Sequence, residues 1–239
     1  MVAGGDIQID AAGNVVMGQT SAGTAVVVKA ASVEAKGAVY AGTDLSVSTQ
    51  GALTNQQTLA AKDSITLDAA GRLTNNGIIE AGVNADSTRN AQGDVRLKAH
   101  SIDNTGKTVI ASRDLTINTG ELANQGGTLS AQRAAQLTAT QLDNQNQGRI
   151  LSAGNLRINA DQLLNSQRGL VTSTGNLTAG IGQLINRSGE LSSQAQVTLQ
   201  LVALDNVAGL VSAGQSLSLN ASGLINNQGG RIAARQTVQ

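Results

Sequence analysis

The chain has no tryptophan, phenylalanine, proline or cysteine, one histidine, and a single tyrosine, Tyr40, among its 239 residues. A globular core of this size normally holds several aromatic side chains, which bury large areas and fill irregular space. Their absence points to a narrow core filled by stacked aliphatic side chains. The missing cysteines suit a chain exported unfolded into an oxidising space, where a stray thiol could mispair. A charge excess is missing too, with Lys+Arg and Asp+Glu at 16 each. With no basic surplus to hold phosphates and one aromatic to stack on bases, nucleic acid is not expected as a partner. No apolar run approaches about eighteen residues, so membrane insertion by this segment is not expected. No leader is visible either, since Met1 runs straight into Gly4, Gly5 and Asp6. A secreted chain without one is most simply a segment of something longer.

What the chain does contain is a tripeptide, Leu-x-Asn, that returns about every twenty residues. It reads Leu53–Asn55, Leu73–Asn75, Ile102–Asn104, Leu122–Asn124, Leu142–Asn144, Leu163–Asn165, Leu184–Asn186, Leu204–Asn206 and Leu224–Asn226. One interval breaks step, with about nine extra residues between Asn75 and Asn104. Self-similarity at this period is the mark of a solenoid.

Each repeat carries two further apolar pairs. One is short, as in Val109-x-Ala111 and Leu129-x-Ala131; the other is longer, as in Leu115-x-Ile117-x-Thr119 and Leu156-x-Ile158-x-Ala160. Period two means strand, and apolar residues do not recur at the three-and-four spacing of a helix. Three short strands per turn, joined by Gly/Asn/Gln-rich corners, predict an all-β parallel β-helix over residues 1–239 as a single segment. The longer pair can be followed from Ile7/Ile9 to Leu217/Leu219, giving about eleven turns of about 20 residues. At a strand spacing of roughly 4.8 Å the rod is roughly 50 Å long.

The asparagine of Leu-x-Asn occupies an inward or corner position, where a lone amide is costly to bury. Stacked in register, each amide can donate to the next turn, so Asn55, Asn75, Asn104, Asn124, Asn144, Asn165, Asn186, Asn206 and Asn226 are expected to form a structural ladder. Residues Val83 to Gln92 lack alternation and should leave the rod as a surface loop that offers Asp86, Arg89 and Asn90 to solvent. A tolerated insertion explains such a loop, and so does a partner contact on a rigid scaffold. Gln145 to Gln147 read as a smaller bulge.

Motifs for chemistry are scarce. His100 has no histidine or cysteine partner for a metal or a triad, the glycines sit at corners, and no cofactor is expected. Asp44, Asp94 and Asp114 take equivalent places before the longer strand, and the last two fall on successive turns. The same column continues as Ala134, Asn155 and Asn176, the pattern of corner-stabilising Asx side chains. The sequons at Asn176, Asn186 and Asn220 match the number expected by chance. Arg149, Arg157, Arg168, Arg187 and Arg231 should face solvent.

The segments Gly175–Ala179 (GNLTA), Leu184–Leu191 (LINRSGEL) and Leu224–Ala234 (LINNQGGRIAA) resemble the repeats of filamentous haemagglutinins, over roughly residues 33 to 234. Such repeats build the shafts of large exoproteins that Gram-negative bacteria export by two-partner secretion, among them adhesins, haemolysins and the stalks of contact-dependent growth inhibition. The resemblance implies a right-handed β-helix, a secreted or cell-surface location, and passage through an outer-membrane two-partner-secretion transporter. It carries over no catalytic residue, and neither a secretion domain nor a toxin domain is visible. The leading expectation is a structural and adhesive shaft segment that presents a distal binding or toxin domain. A receptor-binding module, contacting a bacterial or host cell through the 83–92 loop or one flat face, is the alternative. A carbohydrate-active β-helix enzyme built on Asp94 and Asp114 is the third reading.

Overall fold

The computed structural model describes all 239 residues, and they form 27 strands with no helix and no cis peptide bond. Every strand pairs in parallel with its counterpart one turn away, as Thr108–Ala111 does with Thr128–Ala131. The short apolar pair, the longer pair and Leu-x-Asn define three faces. The short-pair face is crossed twelve times, from Val2–Ala3 to Arg231–Ala234, and the long-pair face eleven times, from Ile7–Asp10 to Leu217–Ala221. The solenoid thus completes about eleven turns and begins a twelfth.

Alternation sets which atoms are buried. In Thr128–Ala131 the inward Leu129 and Ala131 are buried and the outward Thr128 and Ser130 are partly exposed. Stacking turns this into columns: Val109, Leu129, Ile150, Val171, Leu191 and Val211 are each 0% exposed along the short-pair face. The columns merge into one core of 54 buried residues running along the axis. Burying each Leu, Ile or Val contributes about 1.5–3 kcal/mol, and no single turn could bury its own face. The second inward position of the short-pair face is always small, from Ala22 through Ser152 to Ala213, because the chain turns a corner just beyond it.

The three faces persist throughout, but three separate strands per turn occur only in the first turns and again in the last, where Leu217–Ala221 and Ile225–Asn226 are distinct. From Ile65 to Asp205 the long-pair and Leu-x-Asn strands run on as one bent strand, such as Asp114–Ala123. The bend is absorbed by one residue per turn, so that Thr119 and Leu122 both face inward while Ser101, Glu121 and Gln141 remain paired across turns. Backbone hydrogen bonding therefore passes the corner without a break. The inward Thr119 hydroxyl is satisfied by donating to Glu121 O at 3.0 Å.

The corners after the ladder asparagines vary in length and, from Asn104 onward, take left-handed backbone. Gly126 supplies φ +64° there, but Ser188 and Ala208 adopt φ +54° and +53° without glycine's freedom. The bulge expected at Gln145–Gln147 is a corner one residue longer, with Asn146 and Gln147 both left-handed, and the next turn repeats it at Gln167 and Arg168.

Candidate functional site

Three surface and corner features could carry function: the amide ladder, the aspartate corner, and the loop. In the ladder, Asn55 Nδ2 donates to Asn75 Oδ1 at 2.8 Å, and the chain continues through Asn104, Asn124, Asn144, Asn165, Asn186 and Asn206 at 2.7–2.8 Å per step. Every donation points toward the next turn. The second amide proton reaches carbonyls of the corner, as Asn144 does at Gly148 O, 3.0 Å. Toward the N-terminus the same column is apolar, with Ala35 and then Met17 in the asparagine's place. Asn55 Oδ1 accepts the Gln57 N–H there instead, at 3.2 Å.

The last rung corrects the sequence reading. Asn206 Nδ2 donates to Asn227 Oδ1 at 2.7 Å, and Asn226 faces outward beside Asp205. One extra residue between Ala221 and the inward Ile225 shifts the register, pairing Ile225 with Leu204 and leaving Leu224 76% exposed. The doubled Asn226–Asn227 let the sequence be read in either register.

The aspartate corner is a stack of caps. Asp44 accepts the Ser64 N–H, Asp94 the Asp114 N–H, and Asp114 the Ala134 N–H, each from the following turn. Asn155 continues the pattern at Asn176 N, 2.9 Å. Asp94 is 2% exposed and is held by Arg113, Nε to Oδ1 and Nη2 to Oδ2 both at 2.6 Å, with Arg96 Nη2 at 2.9 Å. The Arg113 hydrogen bonds, partly opposed by burial, bring its carboxyl down to about 2. Arg133 clamps Asp114 through two hydrogen bonds in the same way, which lowers that carboxyl too. A clamped, ionised carboxylate can hold a corner, but it does not exchange a proton near neutral pH. His100 lies exposed on the strand bend, away from any group of metal-ligating side chains. Asn176 and Asn220 are exposed, whereas Asn186 is a fully buried ladder rung. Arg149, Arg157, Arg168, Arg187 and Arg231 are exposed, and Arg187 pairs with Asp205.

The loop leaves the rod after Ala81 and rejoins it at Val95. It turns through Gly82 and Ser87, both with positive φ, and closes with an antiparallel bridge between Val83 and Arg89. Asp86 stands exposed and accepts the Thr88 N–H at 3.0 Å. Arg89 is exposed but committed, forming an ion pair with Glu80 at 2.5 Å without the alignment of a hydrogen bond. Asn90 departs from the sequence expectation. It turns inward, and its Nδ2 donates to Lys62 O at 2.8 Å and Asn84 Oδ1 at 3.2 Å while its Oδ1 accepts Gln92 N–H. An amide at the loop's neck gains more from tying two backbone groups and one side chain together than from water.

Two residues that anchor the loop escaped the sequence reading. Glu80 is an outward residue of Ile78–Ala81, and Tyr40, two turns earlier on the same face, donates its hydroxyl to Val83 O at 3.3 Å. The available signal was that the sole tyrosine sits at an outward strand position, where no core packing calls for it.

The haemagglutinin repeat family model matches residues 2–77, 80–126, 111–180 and 181–239, which together span nearly the whole chain. No curated protein and no solved structure matches it. The chain belongs to the haemagglutinin repeat family.

Proposed function

We propose that this chain is a shaft segment of a large exoprotein on the surface of, or secreted by, a Gram-negative bacterium, holding a distal binding or toxin domain away from the producing cell. The observation that carries this reading is the unbroken parallel register of about eleven turns, in which all long-range order runs along one axis. Such a body gives reach in proportion to turn number and keeps its ends apart. Family membership supports export through an outer-membrane two-partner-secretion transporter. The clamped state of Asp94 and Asp114 favours a structural role for the corner over hydrolysis or elimination. Deleting whole turns from the exported protein tests the shaft: export and tip activity should persist while the tip moves closer to the cell. Loss of tip activity in every whole-turn deletion, with export intact, contradicts a spacer role.

A second reading is that the loop side of the rod also contacts a target bacterial or host cell. The ordered anchoring of the loop by Tyr40, Glu80 and Lys62 favours it, because an incidental insertion needs no such ties. Labelled chain bound to a panel of bacterial and epithelial cells, with and without residues 83–92, tests it: loss of saturable binding on deletion supports the contact, and unchanged binding removes the loop.

A further inference from the structure

The corner between strands Ile65–Asn75 and Ile78–Ala81 consists of two residues, Asn76 and Gly77. Of all the asparagines in the chain, Asn76 alone is followed by glycine. An asparagine amide is lost when the next residue's backbone nitrogen attacks it, and a side chain on that next residue obstructs the approach; glycine has none. Asn76 is exposed, and its Nδ2 donates to the exposed Gln56 Oε1 at 3.1 Å. The cross-turn register holds the nitrogens on either side of the bond. Asn76 N–H donates to Asn55 O and Ile78 N–H to Gln57 O, both at 2.7 Å. Gly77 N–H between them has no backbone acceptor and reaches Asn75 Oδ1 at 3.2 Å, the long end of the hydrogen-bond range. The most loosely held nitrogen of the corner is thus the one the reaction needs. Neighbouring corners avoid the pairing: Gln56, Thr105 and Gln125 stand at the same place beyond the ladder rung, and neither side chain closes a five-membered ring. Gly77 itself is fixed by packing, since a Cβ there would collide with the Gln57 carbonyl.

We propose that Asn76–Gly77 is a self-modifying site that converts to isoaspartate with water as its only co-reactant. Gly77 N bonds to Asn76 Cγ, and its proton ends on the Asn76 amide nitrogen, which leaves as ammonia. The product is a succinimide ring. Water then opens the ring at one of its two carbonyls. Breaking the bond from Gly77 N to the Asn76 backbone carbon gives isoaspartate, and breaking the bond to Cγ gives aspartate. Isoaspartate routes the chain through the side-chain carbons, which lengthens the corner by one atom and frees a carboxylate at its surface. The bond from Ile78 N–H to Gln57 O lies beyond the added atom, so the register loosens there first, in the strand that leads into the loop. The ladder step from Asn55 to Asn75 lies before it and is kept.

The test incubates the full chain in mildly alkaline buffer beside the peptide Ac-LTNNGII-NH2, which copies Leu73 to Ile79, until most of the peptide has converted. The expected result is a mass gain of about one dalton in the intact chain, placed on residue 76 by fragmentation after digestion in acid. The isoaspartate should also accept a methyl group from S-adenosylmethionine when isoaspartyl methyltransferase is added. Asn76→Gln should lose both signals while keeping the fold, since Gln56 and Gln125 already occupy equivalent corners. Hydrogen exchange at Ile78 should quicken in the aged chain and stay unchanged in the aged Asn76→Gln variant. A chain still unmodified at residue 76 once the peptide has converted overturns the proposal, because the folded corner then holds Gly77 N out of reach. Methyl acceptance that survives in Asn76→Gln, or modification confined to other asparagines, overturns it as well.

Discussion

Asn124 Nδ2 donates to Asn144 Oδ1 at 2.7 Å, and both residues are 0% exposed. One side chain thus supplies the acceptor that its neighbour's buried donor requires, and Asn144 in turn donates to Asn165. The ladder closes its own polar account only while every rung is present, apart from the two ends.

Replacing Asn144 with alanine takes the shortest acceptor from Asn124 Nδ2, leaving it contacts of 3.2–3.3 Å, and removes the donor facing Asn165. Two buried groups left short of partners cost about 2–4 kcal/mol together. The urea midpoint should fall, and hydrogen exchange should quicken first in the corners that flank residue 144. Unchanged exchange in those corners would contradict the ladder's role.

Ala208 and Gly209 should respond in opposite directions. Ala208 holds φ +53°, which costs a non-glycine residue about 1 kcal/mol, so Ala208→Gly should raise the midpoint slightly. A Cβ on Gly209 would lie 2.5 Å from Asn206 Oδ1 and collide with the Asn186 carbonyl. Gly209→Ala should therefore lower it, by about 1–3 kcal/mol. Thermal scans of the two variants settle the sign.

Acid should weaken the corner below the loop. The Asp94 carboxyl falls from an ordinary 3.8 to about 2 on folding, so the folded state holds fewer protons than the unfolded chain between those values. Its stabilisation, about 2 kcal/mol, is complete above about pH 4 and disappears as the pH falls through about 2. In Asp94→Asn that part of the acid dependence should vanish, with the neutral-pH midpoint lower because Arg113 loses its ionic partner. An unaltered acid limb in the variant would contradict the clamp.

Most of the architecture was legible because strand period and repeat period are both properties of local sequence. Leu115-x-Ile117-x-Thr119 shows its inward face by alternation, and Leu122-x-Asn124 shows the next by recurrence. The bend between them was not legible, since Gly120 and Glu121 read as a break where cross-turn pairing in fact continues. The last rung was missed for a related reason: Leu224-Ile225-Asn226-Asn227 fits the motif in one register and the inward column in the next. Asn226→Ala should accordingly be nearly neutral, while Asn227→Ala should loosen the final turn, as read by exchange at Gly230. At the loop, Asp86 and Arg89 were visible as charges. Tyr40 and Glu80 come from other turns, and nothing in local sequence says which outward residues an excursion will cover.

Distance along this molecule counts turns and not residues. Ser46, Thr66, Arg96, Thr116, Gln136, Arg157, Thr178, Thr198 and Ser218 form one outward column of the long-pair face. With no native cysteine, spin labels can be placed there in pairs by cysteine substitution. At about 4.8 Å per turn, Thr116 and Thr198 should lie about 19 Å apart and Ser46 and Ser218 about 38 Å apart, allowing for label length. Pulsed dipolar spectroscopy should return two narrow distributions in that ratio. Broad distributions, or a Ser46–Ser218 distance no longer than the Thr116–Thr198 one, would contradict the continuous in-register rod.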